Sequence, residues 1–510
     1  MSPSSPEALY HSILQIPPVA APDGSEIELE ADSDEGIEEI EAIIHPIPLV
    51  IKWINFVLGC AVLLPWNALI TAIPYFLSRL AGSSLQSTFS SYLSITFTLS
   101  NFLCLAHATA TSKQTPPSRR TITSLAGLTI LTLLLTLSTF LSLSPGFFFT
   151  FVLLNGIAQA SFGSYLQNSA ITVASLFGPA AVQAMLAGQA AVAVVVSAVQ
   201  VASAAASVKT SPKNVRGMDI SSRADKDPEA RSAFMFFGLS TIFLLLSAAA
   251  HRWLVSMPAY HAVAEALEAQ EAVRKVGSTT RLESELSVDD ERRTLVSAGP
   301  PQMFSSFASQ KQRIWCVAKA NVMYEIAVAY VFMVTLTVFP PITSSILPTN
   351  PSIHPLLFTS IHFLVFGFGD FAGRYICSFP RLLVWSAKRL LALSLSRTLF
   401  IFLFLMCNIQ RPSQTSPNFS NLYTTTPLIN SDSLFMLILF LFGLSNGYVA
   451  SLCMMSAPSL EHNPRLKGKK EDVDVAATVS QFCLIGGLVL GSFASFAVRG
   501  AVCGCNPFKM

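Results

Sequence analysis

A chain of 510 residues in which 52% of side chains are hydrophobic and 12% are charged, with a mean hydropathy of +0.54, is too apolar for a water-soluble protein of this length. The composition places it in lipid, and a formal net charge of +2 offers no basic excess for a nucleic-acid partner.

The first 45 or so residues lack the basic start, short apolar core and cleavage site of a secretory signal. They carry an acidic run from Glu26 to Glu41, which reads as a solvated, disordered tail over residues 1–47. Apolar runs long enough to cross roughly 30 Å of hydrocarbon then recur near 52–78, 87–109, 121–143, 147–175, 180–206, 232–256, 316–340, 354–379, 383–408, 432–456 and 475–499. The alternation of barrel strands is absent, and only helices or closed barrels satisfy their backbone inside a bilayer. The expectation is therefore an all-α polytopic membrane protein of about eleven transmembrane helices. Six fall in 48–256 and five in 313–510, joined by a polar linker over 257–312 in which Tyr260 to Val276 is expected as a surface helix.

Loop charges set the orientation. With the N-terminus in the cytoplasm, the inside loops hold Lys113, Arg119 and Arg120; Arg274, Lys275, Arg281, Arg292, Arg293, Lys311 and Arg313; Arg381; and Arg465, Lys467, Lys469 and Lys470. The exception is Lys209 to Lys226, on the outside but accompanied by acids. The sequon Asn418-Phe-Ser falls in a loop this topology puts outside or in a lumen, making Asn418 a glycosylation candidate.

No catalytic constellation, cofactor motif or metal cluster stands out. Cysteines such as Cys60, Cys104 and Cys453 lie within spans at no shared spacing and read as packing residues. The eight histidines form no ligand pattern. Gly486 to Gly491 resembles a phosphate loop in spacing only, since Ser492 stands where a lysine is required; small residues that let helices approach closely explain it better.

Candidate functional residues are those too polar for their surroundings. In the first span Leu63-Leu64-Pro65-Trp66-Asn67 brings a proline, an indole and an amide toward mid-membrane, and a satisfied kink and a substrate site weigh equally. The fourth span holds four amides, Asn155, Gln159, Gln167 and Asn168, a density that points to a wet cavity. The fifth contributes Gln183, Gly188 and Gln189 among alanines, which reads as a close-packed interface. In the eighth, Asp370 and Arg374 stand four apart on one helix face. An ionised group at the bilayer centre costs about 2.5–3.5 kcal/mol on insertion scales, so both should face inward, as a lock between helices, as a motif at the cytoplasmic end like the Asp-x-x-Gly-Arg loop element of major facilitator proteins, or toward a ligand.

These residues, in this order, resemble the equilibrative nucleoside transporters. The likeness runs from Gly59 to Phe76 with Leu-Leu-Pro-Trp-Asn, through Gly163 to Gln167-Asn168-Ser169, Gly188-Gln189, Thr335-Leu336 and Phe339-Pro340. It continues in Asp370-Phe371-Ala372-Gly373-Arg374, Arg397 with Asn408, Ser445-Asn446-Gly447-Tyr448, Gly487-Leu488 to Gly491, and Ser495-Phe496. The resemblance implies a major-facilitator-like arrangement of a six-helix and a five-helix bundle. It implies facilitated diffusion of purine and pyrimidine nucleosides, with nucleobases as a further class, by alternating access and without a cofactor. It also implies that Trp66, Gln167 and Leu488 surround the base, that Asp370 and Arg374 lie near the sugar, that Leu63 and Asn67 line the first-span side, and that Gly163 and Gly188 keep helices close and the cavity open.

Gly367 departs from the family, which often has Asn there, and removes an amide beside the sugar site. A major-facilitator-type carrier of another small polar solute and a non-transporting scaffold or receptor are the competing readings. Glu39-x-x-x-Ile43-Ile44 is a loose acidic dileucine pattern, so an endosomal or vacuolar membrane and the plasma membrane both stay open.

Overall fold

The computed structural model describes residues 47–503 apart from 87, 142, 211–227, 265–301, 351 and 410–427. In chain order the main helices are α1 (Leu49–Thr71), α2 (Ile73–Arg79), α3 (Phe89–Ala110), α4 (Pro117–Ser138), α5 (Pro145–Leu176), α6 (Pro179–Thr210), α7 (Pro228–Val255), α8 (Gln302–Val338), α9 (Pro355–Ile376), α10 (Ala387–Ser396), α11 (Leu399–Leu405), α12 (Asp432–Ser456) and α13 (Val473–Cys503). Strand pairing among the described residues is confined to two isolated bridges. The chain is an all-helical, multi-pass membrane protein, and nine helices among those residues are long and apolar enough to cross a bilayer.

Local chemistry explains the boundaries. Helices α4, α5, α6, α7 and α9 each open on proline, whose fixed φ suits the first turn and whose missing N–H is no loss there. The expected span 52–78 divides at Ala72, with Pro74 in the first turn of α2. The expected span 383–408 is likewise two short helices, interrupted at Arg397 and Thr398. Hydroxyls take up the carbonyls around that break: Ser396 donates to Leu393 O and Thr398 to Leu395 O, both at 2.8 Å, a local alternative to helix continuation. The α10–α11 pair and α9, which carries His362, Asp370 and Arg374, are not among the nine.

The linker also differs from expectation. Helix α8 begins at Gln302, well inside the 257–312 segment, and residues 258–264 are helical, with Tyr260 and Ala264 buried in the core while Pro258, His261 and Ala262 stay exposed. The acidic tail, most of the linker and Asn418 lie outside the described residues.

Packing pairs α1 with α6, α8 with α13 and α9 with α12, and α9 also lies against α6. Glycines permit these approaches. A Cβ at Gly188 would stand 2.9 Å from the Phe56 carbonyl carbon, and one at Gly487 would stand 2.8 Å from that of Ala329. Gly163 departs from its expected packing role: a Cβ there meets nothing within 4 Å.

The apolar core is joined at one end and divided at the other. At the end where α3 finishes and α4 begins, called the Lys113 end below, one cluster unites Ile51 to Val62, Leu166 to Ala174 and Val182 with Val328, Cys453 and Ala477. Toward the opposite end, one cluster has its buried members between Ala68 and Phe237, with Trp66 packed against it, and a separate one has its buried members between Val334 and Phe442.

Candidate functional site

The Asp370 and Arg374 pair occupies the inward face of α9 because two glycine pairs let α12 close onto it. Gly369 and Gly373 meet Gly443 and Gly447 across the crossing, where a Cβ at Gly373 would lie 2.7 Å from Tyr448 N and one at Gly447 3.0 Å from Arg374 N. This brings Asn446 against the carboxylate. Arg374 Nε donates to Asp370 Oδ2 at 2.9 Å, and Asn446 Nδ2 donates to Oδ1 at 2.6 Å.

The network extends further. Asn446 Oδ1 lies 2.7 Å from the Thr335 hydroxyl, which accepts from Arg397 Nη2 at 2.8 Å. Arg397 also donates to Phe442 O at 3.0 Å and to the Ser445 hydroxyl, and its guanidinium sits 4.5 Å from the Phe442 ring centroid. On the other side Arg374 Nη1 donates to Leu186 O at 3.1 Å, and Gln183 Nε2 donates to Arg374 O at 2.9 Å. Arg374 and Asn446 donate directly to Asp370, and Arg397 reaches Asn446 through the Thr335 hydroxyl, whose one hydrogen is shared between Asn446 Oδ1 and Val331 O. Such chains polarise one another in a medium of low dielectric.

The pair is not saturated. A carboxylate accepts about four hydrogen bonds and a guanidinium donates five. Asp370 accepts two in all, while Arg374 spends one N–H on it and one on Leu186. Both side chains keep a sliver of exposure, 10% and 7%.

The remaining sequence-derived residues make contacts of their own. Trp66 is half-buried with its ring 4.2 Å from that of Phe97, and Leu63 is also half-buried. Asn67 turns one amide N–H onto Leu63 O at 2.9 Å, and Leu488 packs on the joined core. None of Leu63, Trp66, Asn67, Gln167 or Leu488 hydrogen-bonds to Asp370 or Arg374.

The four amides of α5 separate in use. Asn155 donates to Leu131 O at 3.0 Å and accepts from Gln159 at 2.6 Å. Asn168 accepts from Arg120 at 3.0 Å and lies 3.3 Å from the Thr109 hydroxyl. Asn155 and Asn168 stitch α5 to α4 and α3, Gln159 bonds only to Asn155 within α5, and Gln167, 6% exposed, makes no hydrogen bond to another described residue.

At the Lys113 end, charged and aromatic contacts bridge early and late parts of the chain. Lys113 Nζ meets Asp474 Oδ2 at 2.6 Å, Gln310 Nε2 donates to Ala110 O at 3.0 Å, and Phe102 stacks on Phe482 with centroids 5.3 Å apart. Arg313 pairs with Asp472 at 2.7 Å and Glu471 at 3.1 Å.

Sequence reasoning gave no individual role to Thr335, Arg397, Ser445 or Asn446, and it passed over Glu325. For Arg397 and Glu325 the signal was present: each is an ionisable residue inside an apolar run, the same criterion that singled out Asp370. For Thr335 and Asn446 nothing local distinguishes a network member from a packing residue.

The nucleoside transporter family model matches residues 153–500. Equilibrative nucleoside transporter 2 of Homo sapiens is 27% identical over 487 residues, covering 87% of this chain and 95% of its own length. Equilibrative nucleoside transporter 1 of Rattus norvegicus is 25% identical over 484 residues, covering 88% and 96%. A crystal structure of the major facilitator superfamily transporter FucP in the outward conformation aligns with 90% of this chain and 94% of that one, at 12% identity and a TM-score of 0.46.

Proposed function

We propose, since the chain belongs to the nucleoside transporter family, that it carries nucleosides across a membrane by facilitated diffusion, using alternating access and no cofactor. The observation that carries this reading is the buried Asp370 and Arg374 pair, held by α6 and α12 yet with acceptors and donors to spare. A ribose diol is neutral and both donates and accepts, so a carboxylate beside a guanidinium complements it. Gln167 supplies a free amide for base edges, and Trp66 supplies a flat apolar surface. Leu63, Asn67 and Leu488 complete the lining, and Gly163 leaves room where a side chain would protrude.

Eleven spans result when α9 and the α10–α11 pair are added to the nine apolar helices. A six-plus-five division into two bundles is supported by the two separate cores at one end and the joined core at the other. With the N-terminus cytoplasmic, as the loop charges favour, the Lys113 end faces the cytoplasm and is closed, and substrate enters from the opposite side.

The test is uptake of labelled uridine and 2',3'-dideoxyuridine into vesicles reconstituted with the protein or its Asp370→Asn variant. A charge-assisted hydrogen bond contributes about 1.5–3 kcal/mol, so the preference for uridine should shrink about ten-fold or more in the variant. Vesicles that pass neither ligand overturn the carrier reading. An unchanged ratio reduces Asp370 to a lock between helices, because losing a lock slows both ligands equally.

A further inference from the structure

Glu325 lies in the Gln310–Ser345 span with 5% of its surface exposed. The Ser480 hydroxyl of α13 donates to its Oε1 at 3.1 Å, the Cys483 thiol stands beside the carboxyl, and Oε2 is buried without a hydrogen-bond partner. The groups facing it from the packed elements are neutral: Ser480 and Cys483 from α13, and Cys453 from α12. Charged groups on those elements are engaged elsewhere or exposed. Arg465, from the short turn Pro464–Leu466, is directed to Ala320 O and Met323 Sδ. Arg313 pairs with Glu471 and Asp472, and Asp474 with Lys113. Lys388 and Arg389 of α10 are exposed.

A carboxylate buried among neutral groups carries a large desolvation cost that no cation here offsets. We propose that Glu325 is a proton-binding site, neutralised by a proton in this closed arrangement, and that its occupancy is linked to the opening of the Lys113 end. Helix α13 supplies the link. Its residues 480 and 483 face Glu325, while Phe482 between them stacks on Phe102 of α3 and Asp474 pairs with Lys113. Parting α3 from α13 admits water to the face of α13 beside Glu325, and water is what an ionised carboxylate needs. Re-closing then requires the proton back. Acidic side chains inside spans serve proton relays in other membrane proteins for the same physical reason.

This inference rests on the transport reading and is tested separately from it. Exchange of labelled uridine is measured in reconstituted vesicles with equal pH on both sides, across a pH series. The wild-type rate is expected to fall as pH rises, by up to about ten-fold per unit on the alkaline limb if one proton is linked. Glu325→Gln keeps the shape and the Ser480 contact without titrating, and should stay at the acid-side rate throughout. If that variant does not purify, Ser480→Ala, which removes the one hydroxyl donor, should move the pH at half-maximal rate. No exchange at any pH overturns the carrier reading itself. Exchange that is flat with pH, or that falls identically in Glu325→Gln, or an unmoved midpoint in Ser480→Ala, overturns the proton site alone.

Discussion

Gly447→Ala tests whether the α9 and α12 crossing sets the geometry of the Asp370 network. A Cβ at residue 447 would stand 2.8 Å from the Asp370 carbonyl carbon and 3.0 Å from Arg374 N, and all of these are backbone atoms that no rotamer change can move. Carbon atoms pack at about 3.5–4.0 Å, so the helices must separate by roughly 0.7–1.2 Å at this point. The bond from Asn446 to Asp370, 2.6 Å long, would then stretch to about 3.3–3.8 Å, at or past the limit beyond which little hydrogen bonding survives. Overpacking costs about 1–3 kcal/mol, to which a loosened charge-assisted bond adds about 1.5–3 kcal/mol. The assay is thermal unfolding in detergent together with uridine uptake at matched protein amount. Gly486→Ala is the control, since a Cβ there meets nothing within 4 Å. The variant should melt well below wild type and transport poorly, while the control stays close to wild type. A Gly447→Ala protein with wild-type melting and uptake would refute the idea that this crossing holds the network.

Two further outcomes follow from the same contacts. Gln167→Leu deletes an amide that bonds to no neighbouring helix, so purified protein should keep its melting temperature while apparent uridine affinity falls about ten-fold, from an unpaired base edge worth about 1–3 kcal/mol; Asn168→Leu, which strips a partner from buried Arg120, should instead lose stability. Lys113→Ala leaves Asp474, its side chain 5% exposed, buried without its cation. That removal costs about 3–5 kcal/mol, so a cysteine reagent directed at the Lys113 end should reach positions between α3 and α13 faster than in wild type, and equal labelling would count against closure by this pair.

The elements were legible where composition and proline agreed. Apolar runs located the long helices, and Pro117, Pro145, Pro179, Pro228 and Pro355 each mark a helix start. Legibility failed where hydroxyls or burial altered the backbone without altering the apolar count. The run 383–408 looks continuous, yet Ser396 and Thr398 satisfy carbonyls that helix continuation would have used. Residues 258–264 form a short helix that buries Tyr260 and Ala264 and exposes His261 and Ala262, a division set by the core it faces. Gly163 and Gly188 illustrate the limit of motif reading. Both are glycines in apolar helices, but only the second meets a neighbouring backbone, a difference set by the face each presents and invisible without the partner helix.

At the site, the sequence identified charges but not their wiring. Asp370 and Arg374 stand four apart, which shows that they pair and not what else they hold. The structure adds that Asp370 lies at the focus of donors from α9 and α12, and through Asn446 and Thr335 from Arg397. A carboxylate so placed ties helices together, which is the lock reading, yet it retains acceptors for a ligand, so lock and sugar site are not exclusive. A ligand hydroxyl that bonds to Asp370 competes for the same negative charge that draws in Asn446 and Arg374, and Arg374 is in turn bonded to Leu186 on α6. If the proposed sugar site is occupied in this way, substrate arrival would be felt at the contact between α6 and α9. For a carrier that must rearrange around its cargo, a binding group wired into the helix contacts is a direct physical route from occupancy to movement.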